Sequence, residues 1–376
     1  MTRDANRTHN IALLATGDEI CHGDIVNSNS QEIALRLAQE GMNVKLHMVA
    51  PDNIDAIEQA MRFLLNSHQA LIITGGLGPT SDDLTRYALS KVLNRPLVFD
   101  QFSWDAICAR LQRFGYATPP DSNRQQALFP AGSTIIPNPN GTAAACMATL
   151  ADQFIFMLPG PPPECLPMVD KTVLPTLTKA GFKHVAYHKK WLLFGVSEGK
   201  IAEELDALAK PFNCVTGYRL CYPYLEFKVH SDSKNDFPIL VTRIEKAIQA
   251  HLFGNGQNTA SAMLKQVLAD TPILLGICDH ATGGMLETAI RTPQTNKKLQ
   301  FAQQVSDFPD TIPHIEIHGL NDYWQENYDV TQTNLGISLT HNKEQRHVRI
   351  DIPFRGKHVV QYAVEFICSQ VHDFLT

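Results

Sequence analysis

Carboxylates stand beside glycines at several places in this sequence. Asp18-Glu19 follow Thr16-Gly17. Asp82-Asp83 close the run Thr74-Gly75-Gly76-Leu77-Gly78-Pro79-Thr80-Ser81, and Glu164 ends Leu158-Pro159-Gly160-Pro161-Pro162-Pro163. Glycine admits positive φ and lets the backbone approach a ligand closely. A glycine turn that feeds a helix offers unpaired N–H groups and a positive dipole end to an anion. Carboxylates nearby can hold a divalent cation that bridges to phosphate, or serve as a general base. The expectation is a phosphate cradle at 74–83, with the N–H groups of Gly75, Gly76 and Gly78 on the anion. Asp18, Glu19, Asp82, Asp83 and Glu164 converge around it as metal ligands or base. Asn27, Asn29, Thr74, Thr80, Asn140, Gly141, Thr142 and Gly160 complete the expected binding surface. No Gly-Lys-Ser/Thr follows the loop, so it is not a Walker loop, and its spacing is not that of a dinucleotide fingerprint. Aspartate also has a plainer use at a helix start, as an N-cap. One of Asp82 and Asp83 is expected to cap and the other to hold metal.

The elements that position these residues alternate. The apolar run 11–15 reads as a buried strand ending at Asp18-Glu19. A helix with Ile33, Ala34, Leu37 and Ala38 on one face follows, capped by Ser28 or Asn29 and ended at Gly41. The stretch 44–49 reads as a strand, 54–65 as an amphipathic helix, 71–73 as a strand entering the glycine loop, and 84–93 as a helix. Such alternation implies a parallel sheet covered on both faces. Ligands of such sheets sit at the carboxyl ends of the strands, where both acidic turns lie. Beyond this, 102–114 is helix-like, 119–128 starts a further helix, and 154–158 is a strand. The prolines after it build a rigid turn that presents Glu164.

Length and composition bound the rest. A chain of 376 residues has room for two or three domains. An apolar fraction of 44% with 19% charged residues is that of a globular protein. The net charge of −6 argues against a nucleic-acid-coating surface. No apolar run reaches membrane-spanning length. No signal-peptide pattern opens the sequence, so the dispersed cysteines are expected to be reduced thiols of a cytoplasmic protein. The polar stretch 1–7 reads as a frayed tail.

Composition shifts at 179–190. A strand at 191–194, a helix from 197 to 209, an alternating strand at 224–229 and a helix at 239–252 read as a small α+β module. The stretch 254–258 reads as a linker. A second α/β pattern follows: helix 260–269, strand 273–277, the turn Asp279-His280-Ala281-Thr282-Gly283-Gly284, helix 285–290, an alternating strand at 348–352 and a terminal helix at 359–374.

These blocks, in this order, resemble the competence-damage-inducible (CinA) family. Besides the turns above, the resemblance is carried by Gly23-Asp24-Ile25-Val26-Asn27-Ser28-Asn29, Asn123-Arg124-Gln125-Gln126-Ala127 and Pro137-Asn138-Pro139-Asn140-Gly141-Thr142-Ala143. It implies a three-layer α/β/α domain over 8–178, similar to MogA/MoaB-type molybdopterin-binding domains. A KH-like α+β domain is implied over 184–254, and an α/β domain similar to the nicotinamide mononucleotide (NMN) deamidases over 259–376. For the first domain it implies a pyrophosphatase acting on ADP-ribose-type nucleotides with a divalent metal of unspecified identity. A homodimer or larger homo-oligomer is also implied. The third domain departs from its family, whose turn reads Glu-Ser-Cys-Thr-Gly-Gly with the serine as nucleophile. His280 stands in that place, and imidazole cannot replace the hydroxyl in ordinary serine acyl transfer. The expectation is a fold retained with amide hydrolysis lost, and His280 a solvated or cap-bonded histidine. Two other readings stay open: NMN deamidation, and a pterin- or nucleotide-binding or scaffold protein without turnover.

Overall fold

The computed structural model describes residues 9–116, 118–183, 187–309, 311–327, 329–342, 344–353, 356 and 358–376. The tail 1–7 and the expected boundaries at 8 and 184 lie outside them. Two compact units divide the chain, Met1–Val185 and Ala186–Thr376.

The first unit is built on β1 (Ile11–Thr16), β2 (Val44–Ala50) and β3 (Ala70–Thr74). β4 (Leu97–Phe99) and β5 (Leu128–Pro130) pair as a separate antiparallel ribbon. β6 (Thr134–Ile136), β7 (Ala145–Leu150) and β8 (Gln153–Leu158) complete a six-stranded sheet of order β2-β1-β3-β8-β7-β6. β2, β1, β3 and β8 are parallel, whereas β7 pairs antiparallel with both β8 and β6. The wholly parallel sheet expected from the alternation thus holds for the half that carries the acidic turns. Beyond it, a two-residue turn joins β7 to β8, which antiparallel pairing allows and parallel pairing does not.

β1 and β3 are buried along their whole length. Ala12 and Leu14 join the helices Ile54–Leu65 and Thr85–Leu93 on one face, while Ile11 and Leu13 join Ser28–Gln39 and the 162–179 helical segment on the other. That is the three-layer arrangement. Each fully buried Leu or Ile of these strands contributes about 1.5–3 kcal/mol. From β1 the chain crosses to β2 on one side and then returns to β3 on the other. Strand order reverses at β1, so a crevice opens between the ends of β1 and β3. The helix expected at 119–128 is instead a 3₁₀ turn, Asp121–Ala127, running straight into β5.

The second unit contains two sheets. β9 (Tyr187–Phe194), β10 (Cys214–Cys221) and β11 (Tyr224–Ser231) form an antiparallel sheet of order β10-β11-β9. The helices Glu198–Ala209 and Asp236–Ile248 pack on it around Trp191 and Phe227. β12 (Leu275–Asp279), β13 (Leu299–Phe301), β14 (His314–Gly319), β15 (Gln332–His341) and β16 (Glu344–Pro353) form a mixed sheet of order β13-β12-β14-β15-β16. Helices Ala260–Asp270 and His358–Leu375 share a core with this sheet. The stretch expected to link the two parts is docked, with the Leu192 N–H donating to Gly256 O at 2.8 Å. A polar staple joins them further. Tyr224 Oη donates to Glu365 Oε2 at 2.6 Å and accepts from the Ala260 N–H at 2.8 Å. Among the described residues no helix is long and apolar enough to cross a membrane.

Candidate active site

The glycine loop leaves β3 with φ of 101° at Gly75 and 64° at Gly76. A Cβ at Gly75 would lie 2.5 Å from Thr16 O, and one at Gly76 would lie 2.1 Å from Thr85 Oγ1. Glycine is required at both by backbone sign and by space. The loop presses on a buried hydroxyl pair, Thr16 Oγ1 and Thr85 Oγ1, 3.0 Å apart. Beneath it lies Arg86, only 2% exposed. Its guanidinium donates to Leu77 O at 2.6 Å and Gly78 O at 3.3 Å. Burial pulls its pKa down while the Asp83 charge acts against that. Gln125 and Gln126 reach the same carbonyls, Gln125 to Gly78 O and Thr80 O, and Gln126 to Leu77 O. The Asn123-Arg124-Gln125-Gln126 block therefore fixes the loop. Arg124 instead lies over the Phe99 and Trp104 rings.

The two aspartates of the loop differ. Asp83 accepts the Gly78 N–H at 2.6 Å through Oδ1. Through Oδ2 it accepts the Thr80 N–H at 2.9 Å and the Thr80 hydroxyl at 2.6 Å. Asp83 clamps the turn, so its oxygens are occupied. The Gly78 N–H is therefore not open to phosphate, and neither is the Gly75 N–H, which donates to Leu158 O at 3.1 Å. Neither aspartate caps the helix: the N-cap is Leu84, without a side-chain bond. Asp82 is exposed. Contact with the Thr80 side chain, and its own N–H, set its carboxyl below the ordinary range.

Across the crevice, Asp18 starts a one-turn helix and turns away from the cleft toward Asp52, a residue the sequence reading passed over. Asp52 lies two residues past β2, a fourth strand end with a carboxylate, and that position alone was the available signal. Burial pushes its carboxyl up, as do the charges of Asp18, Glu19 and Asp82, against the lowering effect of the Asp18 N–H. Glu19 folds over Gly17, where a Cβ would meet its carboxylate at 2.6 Å.

The third wall comes from Glu164 and its neighbours. Asn138 Nδ2 donates to Glu164 Oε2 at 2.6 Å, while Asn138 Oδ1 accepts the N–H groups of Asn140 and Gly141. This is an Asx turn, and it makes Asn138 the organiser that Pro137-Asn138-Pro139-Asn140-Gly141 could have revealed. A Cβ on Gly141 would overlap the Glu164 carboxylate. Asn140 is exposed, and its amide is spent on Pro163 O at 2.7 Å. Asn27 caps the helix Ser28–Gln39 by accepting the Ser30 N–H at 3.1 Å, in place of the expected Ser28 or Asn29. Asn29 Nδ2 donates to Gly160 O at 2.5 Å, and its Oδ1 is buried without a partner among the described residues.

Together these walls enclose a cleft of 540 Å3 at the reversal point of the sheet. Glu19, Asn27, Asn29, Thr74, Gly75, Gly76, Gly78, Asp82, Asp83, Thr142, Gly160 and Glu164 line it, with Asp52 added. Asp18, Thr80, Asn140 and Gly141 do not, and Gly141 faces an adjoining crevice of 270 Å3 that Thr142 shares. Ile25 and Val26, 52% and 85% exposed, stand at the rim as an apolar wall. Among the described residues lining the cleft there is no Lys or Arg. Nor do its carboxylates form a set of three donors within 4.8 Å of one another. An all-protein metal cage therefore does not fit. An ion that arrives with a phosphate ligand does fit: magnesium-type ions need only one or two carboxylates beside phosphate oxygens, and positive charge offsets the crowding that adds to burial in raising Asp52.

Comparison with known proteins places the chain. A family model described as "Probable molybdopterin binding domain" matches residues 12–179. A CinA-like protein of Citrifermentans bemidjiense is 33% identical over 287 residues, covering 74% of this chain and 68% of the relative. The chain belongs to the CinA-like family. A CinA-like protein of Geobacter sp. strain M21 is likewise 33% identical over 290 residues, covering 74% of this chain and 68% of the relative. The solved CinA structure from Thermoplasma acidophilum is 28% identical, covers 46% of this chain and 97% of its own, and superposes with a TM-score of 0.41.

In this CinA-like chain the turn 279–284 is intact as a turn. Asp279 Oδ1 accepts the N–H groups of Ala281 at 3.1 Å and Thr282 at 2.8 Å. The Thr282 hydroxyl donates to Asp279 Oδ2 and accepts the Leu286 N–H at 3.0 Å. Thr282 is fully buried, so its hydroxyl is committed to structure. His280 is exposed and does not cap; its N–H donates to Ile317 O at 3.0 Å.

Proposed function

We propose that the N-terminal unit of this CinA-like protein is a metal-dependent pyrophosphatase acting on ADP-ribose-type nucleotides. One observation carries the reading: a cleft with a glycine loop, a ring of carboxylates and an apolar rim, but no basic side chain. A diphosphate entering such a cleft is repelled unless a cation accompanies it. The apolar rim suits a flat ring system attached to the phosphates.

Hydrolysis adds a water oxygen to one phosphorus while the bridging P–O bond breaks, releasing AMP and ribose 5-phosphate. The proton leaving water needs an acceptor, and Asp52, raised above its ordinary value, is suited to it. The Gly76 N–H, which has no partner among the described residues, faces the phosphate. A divalent ion, when bound, supplies charge neutralisation for the phosphoryl oxygens. Asp82, with Glu19, would hold it. We assign no amide hydrolysis to the turn 279–284, which lacks a free hydroxyl.

The test is AMP release from ADP-ribose by purified protein with magnesium, manganese or cobalt, against a chelator control. Activity lost in Asp82→Ala while the fold persists supports the proposal. Saturable binding of ADP-ribose without AMP under every metal would favour the binding-protein reading. Nicotinic acid mononucleotide made from NMN would overturn the assignment of the last domain.

A further inference from the structure

The polar face of the second unit's mixed sheet carries a donor set that the pyrophosphatase reading does not use. His280, Glu316 and His318 each bring one ligand atom within 4.8 Å of the others. Glu316 and His318 alternate on β14 and so share a face. His280 follows the end of β12, the strand paired with β14. The imidazoles of His280 and His318 stack with centroids 4.8 Å apart at 13°. His318 Nε2 lies 3.1 Å from Glu316 Oε1. Across β15, His318 faces Gly336 and Glu316 faces Ser338, so only small side chains stand on that flank.

Topology supplies an independent reason to expect a ligand here. From β12 the chain passes to β13 on one side and then to β14 on the other. The strand order reverses at β12, and the crevice beside the ends of β12 and β14 is where such sheets bind ligands.

We infer that His280, Glu316 and His318 form a binding site for a zinc-class divalent ion. Two imidazoles and one carboxylate suit zinc, cobalt or nickel, whereas magnesium and calcium prefer all-oxygen sites. In a tetrahedral zinc site with bonds of about 2.0–2.1 Å, donors stand about 3.3 Å apart. The Glu316–His318 pair is already at that spacing, and His280 needs a rotation of its exposed ring. Three protein ligands leave a position open for water or a small ligand. His280, which stands where the family resemblance implies a serine, thus supplies the third ligand of a different site.

The test is calorimetric titration of chelator-stripped full-length protein with zinc chloride, alongside His280→Asn, His318→Asn, the double variant and Asp82→Ala. The expected result is one site per chain whose affinity falls at least about 100-fold in either histidine variant, beyond the 10–100-fold cost of losing an outer-shell partner. Asp82→Ala should leave it unchanged. Cobalt substitution should give tetrahedral visible bands, lost in His318→Asn. Both rings are exposed, so the variants should fold, and circular dichroism checks this. Zinc affinity unchanged in the double variant would overturn the proposal, as would cobalt bands that persist in His318→Asn.

Discussion

Asp18 and Asp52 hold each other by reciprocal hydrogen bonds: the Asp18 N–H donates to Asp52 Oδ2 and the Asp52 N–H to Asp18 Oδ1, each at 3.0 Å. The exchange ties the turn after β1 to the turn after β2. It also fixes two carboxylates side by side, with Glu19 and Asp82 close enough to act on Asp52 by charge. The arrangement gains four satisfied groups and accepts like-charge repulsion.

Burial of Asp52, together with that repulsion, has a pH signature. The folded-state pKa of Asp52 is raised, so as pH climbs from the ordinary aspartate range the folded chain keeps a proton that the unfolded chain loses. Stability therefore falls through that window and stays lower above it. Asp52→Asn removes the charge and keeps an acceptor for the Asp18 N–H. The variant should melt higher than the parent at pH 7, by about 1 kcal/mol or less since solvent screens the site, and equal it near pH 3. If Asp52 accepts the proton in hydrolysis, the same variant loses roughly 10²–10⁴-fold in kcat. Calorimetry across pH and AMP release check the two parts separately.

Asp82 and Asp83 should separate cleanly. Asp83→Ala strips three acceptor contacts from the turn and should cost about 1–3 kcal/mol. Asp82→Ala touches an exposed side chain and should stay within about 0.5 kcal/mol of the parent, while abolishing metal-dependent AMP release. Urea denaturation and activity on both variants decide it. Equal stability losses would refute the clamp assigned to Asp83.

Strand ends, glycine loop and the alternating pattern up to β3 were legible because local signals there agree with the tertiary answer. Less legible was what each polar group does. Asp82 and Asp83 have the same side chain, and only the fold of 78–80 around one of them distinguishes clamp from candidate ligand. Asp52 escaped notice because a single aspartate before Asn53, which caps the helix Ile54–Leu65, looks like ordinary turn chemistry. Its meaning comes from β1 and β2 lying side by side. Arg86 is the second residue of its helix, and nothing in its immediate sequence marks it as buried. Its burial under 77–78 depends on long-range packing. The strands β14 and β15 were missed for a related reason: in each, polar residues occupy most of the outward face. The alternation then covers too few apolar positions to stand out in a short window.

Gly76 and Gly160 both line the cleft but differ in space. Gly76→Ala forces a side chain to φ of 64° against Thr85 Oγ1. The cost should be about 1–2 kcal/mol for the backbone, plus about 1–3 kcal/mol for overpacking. A Cβ on Gly160 meets only Gly75 Cα, at 3.6 Å, an ordinary contact. Gly160→Ala should fold with its melting temperature nearly unchanged. Any loss it shows should appear as a raised KM for ADP-ribose, since the added methyl faces the ligand space. Thermal melts of the pair make the comparison.

Arg86 gives the most direct test of what holds the glycine loop. Its two bonds to Leu77 O and Gly78 O are shared with Gln126 and Gln125, so neither carbonyl is orphaned when the guanidinium is removed. Its Nε, by contrast, is buried without a partner among the described residues, which is a cost the native protein carries. Arg86→Met keeps much of the buried volume, sheds the desolvated charge and leaves Asp83 without its nearby cation. The gain from shedding a desolvated charge offsets part of the lost bonding, so the net loss of stability should be small, about 1 kcal/mol. The loop, however, loses the member that grips both carbonyls at once, and nucleotide affinity should drop more than stability does. Arg86→Met combined with Gln125→Ala should then cost more than the sum of the two single changes, because Gly78 O is left bare only in the double variant. Chemical denaturation and ADP-ribose titration on the three variants provide the measurement. Additive losses would mean that the two side chains do not share the load of the loop.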